Sequence, residues 1–389
     1  MSVRRTLVIW SVLVLLATGC GGGGPTAVET DRGSSVGPSQ DTAVPPLDGL
    51  NQVTAVGGSF LFYGDGGTDA RVPRAALLDP TSSEWRVVPT DPFDGVLLYS
   101  TAVETQKGFL LIGTLCTSLI YGEDTDPDCT PGRLVAASFD LATDEWTEVQ
   151  LPEHPGPGDG VASAPLERAF AIRDGGRVLL NLAGAWFSMG SNFEATALGD
   201  LPFQPTSFCD TGSGALAVYA PNGDEFAYPL SGEPASEIPD TTVFSAAMVG
   251  DDGSWSIFDN PENLGEVASS ELVLCTSGGV TVVGKDAGEP TFALSFAIES
   301  ESWTQASLPP AEIGYPESWP LADGALLNDP QTGTFILEPD GSVRAAADDI
   351  GAYGILAVLP DGRYAATIYP LLEDGSGLGD PELRLGETS

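Results

Sequence analysis

The sequence predicts an all-β chain built as a ring of repeated units, and three observations predict it. Between turns the chain is made of short runs rich in Val, Leu, Phe, Ala and Thr, punctuated by Gly, Pro, Asp and Asn. No long stretch with helical period follows the first twenty residues, and 48 glycines with 31 prolines suit many tight turns. A glycine-bearing turn between two apolar runs recurs at Gly58, Gly108, Gly176, Gly214, Gly253, Gly279, Gly324 and Gly362. Asp-Gly or Gly-Gly there supplies the backbone freedom of a tight hairpin. A unit of roughly 40–50 residues holding four strands has the period of a β-propeller blade.

The first element lies outside this rhythm. Arg4 and Arg5 precede the apolar run "TLVIWSVLVLLATG", which ends at Cys20. A basic start, an apolar run and small residues before a cut predict a signal peptide over residues 1–19. The run is short for a membrane span, which needs about 20 apolar residues. "LLATGC" resembles the lipobox of bacterial lipoproteins, with Ala17 where Leu is usual. The resemblance implies that Cys20 receives lipid, anchoring the chain to the outside of the cell membrane. The paired arginines leave the export route open.

Residues 20–46, "CGGGGPTAVETDRGSSVGPSQDTAVPP", are Gly/Ser/Pro-rich without apolar periodicity and read as a flexible tether. Residues 47–389 remain for the folded domain. The formal charge is −40, and loss of Arg4 and Arg5 with the leader makes it −42; Lys107 and Lys285 are the only lysines. Such a surface repels phosphate backbones, so nucleic acid is excluded as a partner. The expectation is a monomer that meets a protein or glycan partner.

Four cysteines remain in an oxidising compartment, where disulfides persist. Of three possible pairings, Cys116–Cys129 with Cys209–Cys275 is preferred. Cys116 and Cys129 flank one acidic loop. Cys209 and Cys275 hold equivalent places, just ahead of the first hairpin of their units.

A short phrase repeats as "ALLDPTSSEW", "ASFDLATDEW" and "SFAIESESW". In each, a third strand ends, a turn reverses the chain, and Trp85, Trp146 or Trp303 opens the fourth. With Gly57-Gly58 after the first strand, this resembles the kelch repeat. The resemblance covers the rhythm of the whole domain and about three units in detail. It implies that the three tryptophans fill the wedges between blades. In other units Phe226 and Val343 stand in that place.

Blade number turns on the 26-residue step from Gly253 to Gly279, too short for four strands. If residues 243–268 elaborate their neighbour there are seven blades, the favoured count; if they form a reduced blade there are eight. The last unit shows three clear strands, so residues 47–56 are expected to close the ring by pairing with it.

Chemistry is restricted by counting. His154 is the only histidine. Multi-histidine metal sites are thereby excluded, as is the copper radical oxidase chemistry that some kelch-like propellers carry. The loop holding Glu123, Asp124, Asp126 and Asp128 offers oxygen ligands of the kind calcium takes, or else a solvated acidic loop. "DDGSW" (Asp251 to Trp255) resembles the Asp-box turn of sialidases. A sialidase needs three arginines, and no motif selects three among Arg71, Arg74, Arg133, Arg168, Arg173, Arg177 and Arg363. Trp186, Trp255 and Trp319 suit either core packing or a glycan platform. Two functions remain: a non-enzymatic binding module, and a carbohydrate hydrolase or lyase with a carboxylate pair in the central channel. Convergence of carboxylates with raised pKa at the channel would separate them.

Overall fold

The computed structural model describes residues 50–388 apart from internal stretches, the longest being 65–73, 154–168, 220–243, 260–271, 307–316, 347–354 and 369–381. The chain divides into a unit of residues 1–39, which falls outside the described part, and a unit of residues 40–389 that carries every described strand. It is a seven-bladed β-propeller. The antiparallel sheets span residues 50–87, 96–149, 169–197, 207–259, 272–305, 317–345 and 355–387. Six have four described strands and the seventh has three, in sequential order from the channel outward. Blade 2 also carries an inserted hairpin, Leu119–Gly122 with Thr125–Cys129, between its second and third strands.

Burial explains the pattern of runs. Second strands are covered on both faces by neighbouring blades, so Gly108–Cys116 is buried at every position and reads as a continuous apolar run. Fourth strands lie at the rim: Trp85–Val87, Ala195–Ala197 and Val343–Ala345 keep only their first residue partly covered. The core is accordingly divided into seven apolar clusters, one at each blade interface. One joins Phe60, Phe62 and Leu78 of blade 1 to Ala357, Leu359 and Ala365 of blade 7, and so shuts the ring. Across the same interface Arg363 Nη1 donates to Thr81 Oγ1 at 2.8 Å.

Three details depart from the sequence reading. Leu50–Val56 pairs with Ser59–Gly64 as the innermost strand of its own blade, so it does not pair with the last unit. The reason lies in its neighbours: Gly57-Gly58 turn it directly back into the next strand. Gly253 lies in the turn between the third and fourth strands of blade 4, whereas the other seven glycines lie at the first hairpin. Residues Ser245–Val249 and Trp255–Asp259 thereby complete blade 4, which gives the seven-blade count. Trp255, then, opens the fourth strand of blade 4, the place assigned to Phe226, which lies outside the described residues.

The repeated phrase is a turn with a fixed backbone. One or two residues before the fourth strand opens, Ser83, Asp144, Phe193, Gly253 and Glu301 all take positive φ, between 48° and 78°. In two of them an aspartate holds the loop: Asp79 Oδ1 accepts from Thr81 N at 2.7 Å, and Asp140 Oδ1 from Ala142 N at 2.8 Å. "DDGSW" is the corresponding turn in blade 4, one residue shorter (Gly253 N donates to Gly250 O, where Ser83 N donates to Asp79 O), and there Asp252 Oδ1 accepts from Ser254 Oγ at 2.6 Å.

Candidate functional site

The innermost strands of blades 2, 3 and 4 end at one rim of the channel, just ahead of their glycine turns. Glu104, Arg173 and Asp210 are the last or next-to-last residues of those strands. They meet there. Arg173 Nη1 lies 2.5 Å from Glu104 Oε2, and Arg173 Nε lies 3.2 Å from Asp210 Oδ2. Glu104 Oε1 also accepts from Gly57 N of blade 1 at 2.7 Å. The three side chains are a quarter to a third exposed, so they are set by the fold yet reachable from solvent.

These groups form one wall of a cavity of about 430 Å³ in the channel. The rest of the lining is mostly apolar, with Val53, Ala55 and Val56 of blade 1, Trp319 and Pro320 of blade 6, and Ala357 to Leu359 of blade 7. Glu104 and Arg173 also line a second cavity of about 290 Å³ with Gln106 and Arg177. Arg177 is ion-paired to Asp174 at 2.9 Å, and Asp174 Oδ1 accepts from Ala215 N of blade 4 at 3.0 Å. A small site of this kind, mostly apolar with a few fixed polar groups, is suited to orienting a ligand.

The disulfide Cys209–Cys275 borders the site. It joins the innermost strands of blades 4 and 5 with a Cα–Cα separation of 5.3 Å, beside Asp210. Cys116 is also disulfide-bonded; the side chain of Cys129 lies outside the described residues. So do Cys20, His154 and the side chains of Glu123, Asp124, Asp126 and Asp128. Among the described residues no group of three His, Cys, Asp or Glu side chains is placed to hold a metal ion.

The candidate tryptophans serve different ends. Trp146, Trp255 and Trp303 each donate their indole N–H to a backbone carbonyl of the preceding blade: Pro89 at 2.7 Å, Gly199 at 2.9 Å and Phe258 at 2.8 Å. Trp85 stacks edge-on against Phe62, with centroids 4.9 Å apart. Trp186 is buried among Phe170, Phe208 and Trp255. Trp319 alone of these faces the channel cavity.

Among the described residues, the carboxyl raised by burial is Asp91, away from the channel. Burial pushes the Asp91 carboxyl above its ordinary value, against Arg74 and the Phe93 N–H, which lower it. Asp91 and Arg74 form an ion pair at 3.1 Å with both side chains buried, and neither lines the channel. That pair fastens the connection between blades 1 and 2.

Sequence reasoning missed Glu104 and Asp210 and left Arg173 among seven arginines. A signal was present: "VETQKG", "IRDGG" and "CDTGSG" each put a charged residue on an apolar inner strand just before its glycine turn. It became readable only once the ring placed the three turns side by side.

No protein-family model matches the chain, and no curated protein matches it in sequence. Solved structures resemble it in fold. Puromycin hydrolase is 15% identical, with a TM-score of 0.47, over 91% of this chain and 55% of that one. Virginiamycin B lyase from Staphylococcus aureus is 10% identical, with a TM-score of 0.46, over 88% and 96%. An oligogalacturonate lyase in complex with manganese is 13% identical, with a TM-score of 0.40, over 85% and 74%. At these identities the likeness concerns the fold alone, and the chain spans about half the length of puromycin hydrolase.

Proposed function

We propose that this chain is a lipoprotein anchored through Cys20 outside the bacterial membrane, with a kelch-like propeller that binds the end of a glycan at its channel. One observation carries the reading of the site. The ion-paired Glu104, Arg173 and Asp210 line one cavity of about 430 Å³ together with Trp319. A sugar ring has the matching chemistry, with C–H faces that stack on an indole and hydroxyls that bond carboxylate and guanidinium. Glu104 and Asp210 already spend oxygens on Arg173, and Glu104 on the Gly57 N–H as well. Carboxylates held so firmly suit recognition better than proton transfer, which disfavours the hydrolase or lyase reading.

Calorimetry of the mature domain against cell-envelope oligosaccharides tests the site. Saturable binding that Trp319→Ala and Asp210→Asn each weaken at least about tenfold, at a temperature where both variants are fully folded, supports it. Binding indifferent to both substitutions, or turnover of the oligosaccharide, sinks it. Anchoring is read separately, from membrane fractionation of the full chain with Cys20→Ala: the variant should appear in the soluble fraction or uncleaved.

A further inference from the structure

The channel cavity and the smaller cavity beside it share a border. Glu104 and Arg173 line both, the first of about 430 Å³ and the second of about 290 Å³. Gln106 reaches the second cavity from the first hairpin of blade 2, and Gly176 and Arg177 from that of blade 3. Ser191 and Phe193 come from the turn into the fourth strand of blade 3. In an antiparallel blade both kinds of turn lie at one end of the strands. That is the end at which Glu104 and Arg173 stand, so the topology gathers these groups at one rim.

Each cavity pairs one aromatic side chain with fixed polar groups: Trp319 in the first, Phe193 in the second. Phe193 is partly buried against the core between blades 2 and 3, and its turn fixes it, with φ 62° and its N–H donating to Gly190 O at 2.9 Å. Gly176 accounts for the place of Gln106, because a Cβ there would crowd Gln106 Nε2 at 3.1 Å. Both cavities lie near or below the low end of the roughly 300–1,000 Å³ that small-molecule pockets span. Each therefore suits one sugar ring. Charge narrows the ligand further. Arg173 is paired with Glu104 and Asp210, and Arg177, about a third exposed, with the buried Asp174. Two guanidiniums against three carboxylates leave the border at −1, within a chain of −40. An acidic ligand group is repelled there, while the remaining guanidinium and amide N–H groups suit neutral hydroxyls.

We propose that the two cavities are adjoining subsites for consecutive units of one neutral glycan, with the Glu104–Arg173 pair as their shared border. The first unit sits with Trp319 in the channel. The second lies on Phe193 and takes hydrogen bonds from Gln106 and Arg177. The ligand class is then a neutral disaccharide or longer chain, not a single sugar and not a uronate. This deepens the glycan reading of the channel and rests on it.

Calorimetry of the mature chain with glucose and cellobiose, with N-acetylglucosamine and chitobiose, and with cellobiose oxidised to its C6 uronate tests this. One neutral disaccharide should bind at least about tenfold more tightly than its monosaccharide, and the uronate should show no such gain. Gln106→Ala and Phe193→Leu, the second keeping the apolar packing of the turn, should each erase the gain and leave monosaccharide binding unchanged. Trp319→Ala should weaken both lengths alike. Equal affinity for one unit and two, still weakened by Trp319→Ala, overturns the second subsite and leaves the glycan reading standing. A gain indifferent to Gln106→Ala and Phe193→Leu overturns the placement of the second unit, and tighter binding of the uronate overturns the neutral class. Binding of none of these sugars overturns both this proposal and the reading it rests on.

Discussion

The indole Nε1 of Trp255 donates across the blade interface to the carbonyl of Gly199, 2.9 Å away. Trp146 and Pro89 stand in the same relation one interface earlier, at 2.7 Å. The repeated phrase thus encodes two things: a left-handed turn that aims the tryptophan, and an acceptor in the neighbouring blade that receives it. Trp255→Phe keeps most of the apolar contact with Trp186 and leaves the Gly199 carbonyl without its donor. It should cost about 1–2 kcal/mol, read from urea unfolding of the mature domain.

The buried pair Arg74–Asp91 predicts a pH-dependent variant. Arg74→Met removes the charge that offsets burial of the Asp91 carboxylate, and should cost about 3–5 kcal/mol at neutral pH. Asp91 already has a raised folded value, from burial first, with Arg74 opposing it. Without Arg74 it rises further. An acid whose folded pKa exceeds its unfolded one costs stability above the folded value, and that cost disappears as pH falls through it. The gap between Arg74→Met and the unmodified chain should therefore narrow on acidification from neutrality. A gap that widens, measured by denaturant titration across that range, would contradict the assignment.

The propeller was legible because its signals are local. Turn glycines, apolar runs and the acidic turn into a tryptophan are each local in sequence, and their spacing narrows the ring to seven or eight units, with seven favoured. Gly253 misled because "DDGSW" presents a glycine between two apolar runs whether it joins the first two strands or the last two. Only the partner of Trp255–Asp259, which is Ser245–Val249, distinguishes them. The channel groups were not legible for a different reason. Glu104, Arg173 and Asp210 come from three blades and acquire meaning from a contact that no local spacing records.

Cys209–Cys275 closes a stretch with a sequence separation of 66 and joins two neighbouring innermost strands. Loop-closure entropy in the unfolded chain gives such a crosslink about 4 kcal/mol. Paired Cys209→Ala and Cys275→Ala should lower stability by that order under oxidising conditions. Paired substitution is needed because Cys116 is disulfide-bonded too, and a reductant would break more than one bridge. An unchanged unfolding midpoint in guanidinium would show that the strands hold each other without it.

Gly324 supplies the last test, since it separates turn freedom from close approach. Its φ is +102°, and a Cβ there would stand 2.0 Å from the Leu337 carbonyl oxygen of the third strand. Gly279 has the same neighbour in blade 5, the Phe296 carbonyl at 1.9 Å, and Gly108 the Phe139 carbonyl at 2.2 Å. Gly58, with φ +78°, has open space where its Cβ would go. The glycine that opens a second strand is thus required chiefly because the third strand's backbone passes against it. Gly324→Ala should cost about 3 kcal/mol through collision and backbone strain together. Gly58→Ala, with strain alone, should cost about 1 kcal/mol. Equal losses in thermal unfolding would mean that turn conformation alone selects these glycines; the larger loss at Gly324 identifies strand crowding as the reason they recur.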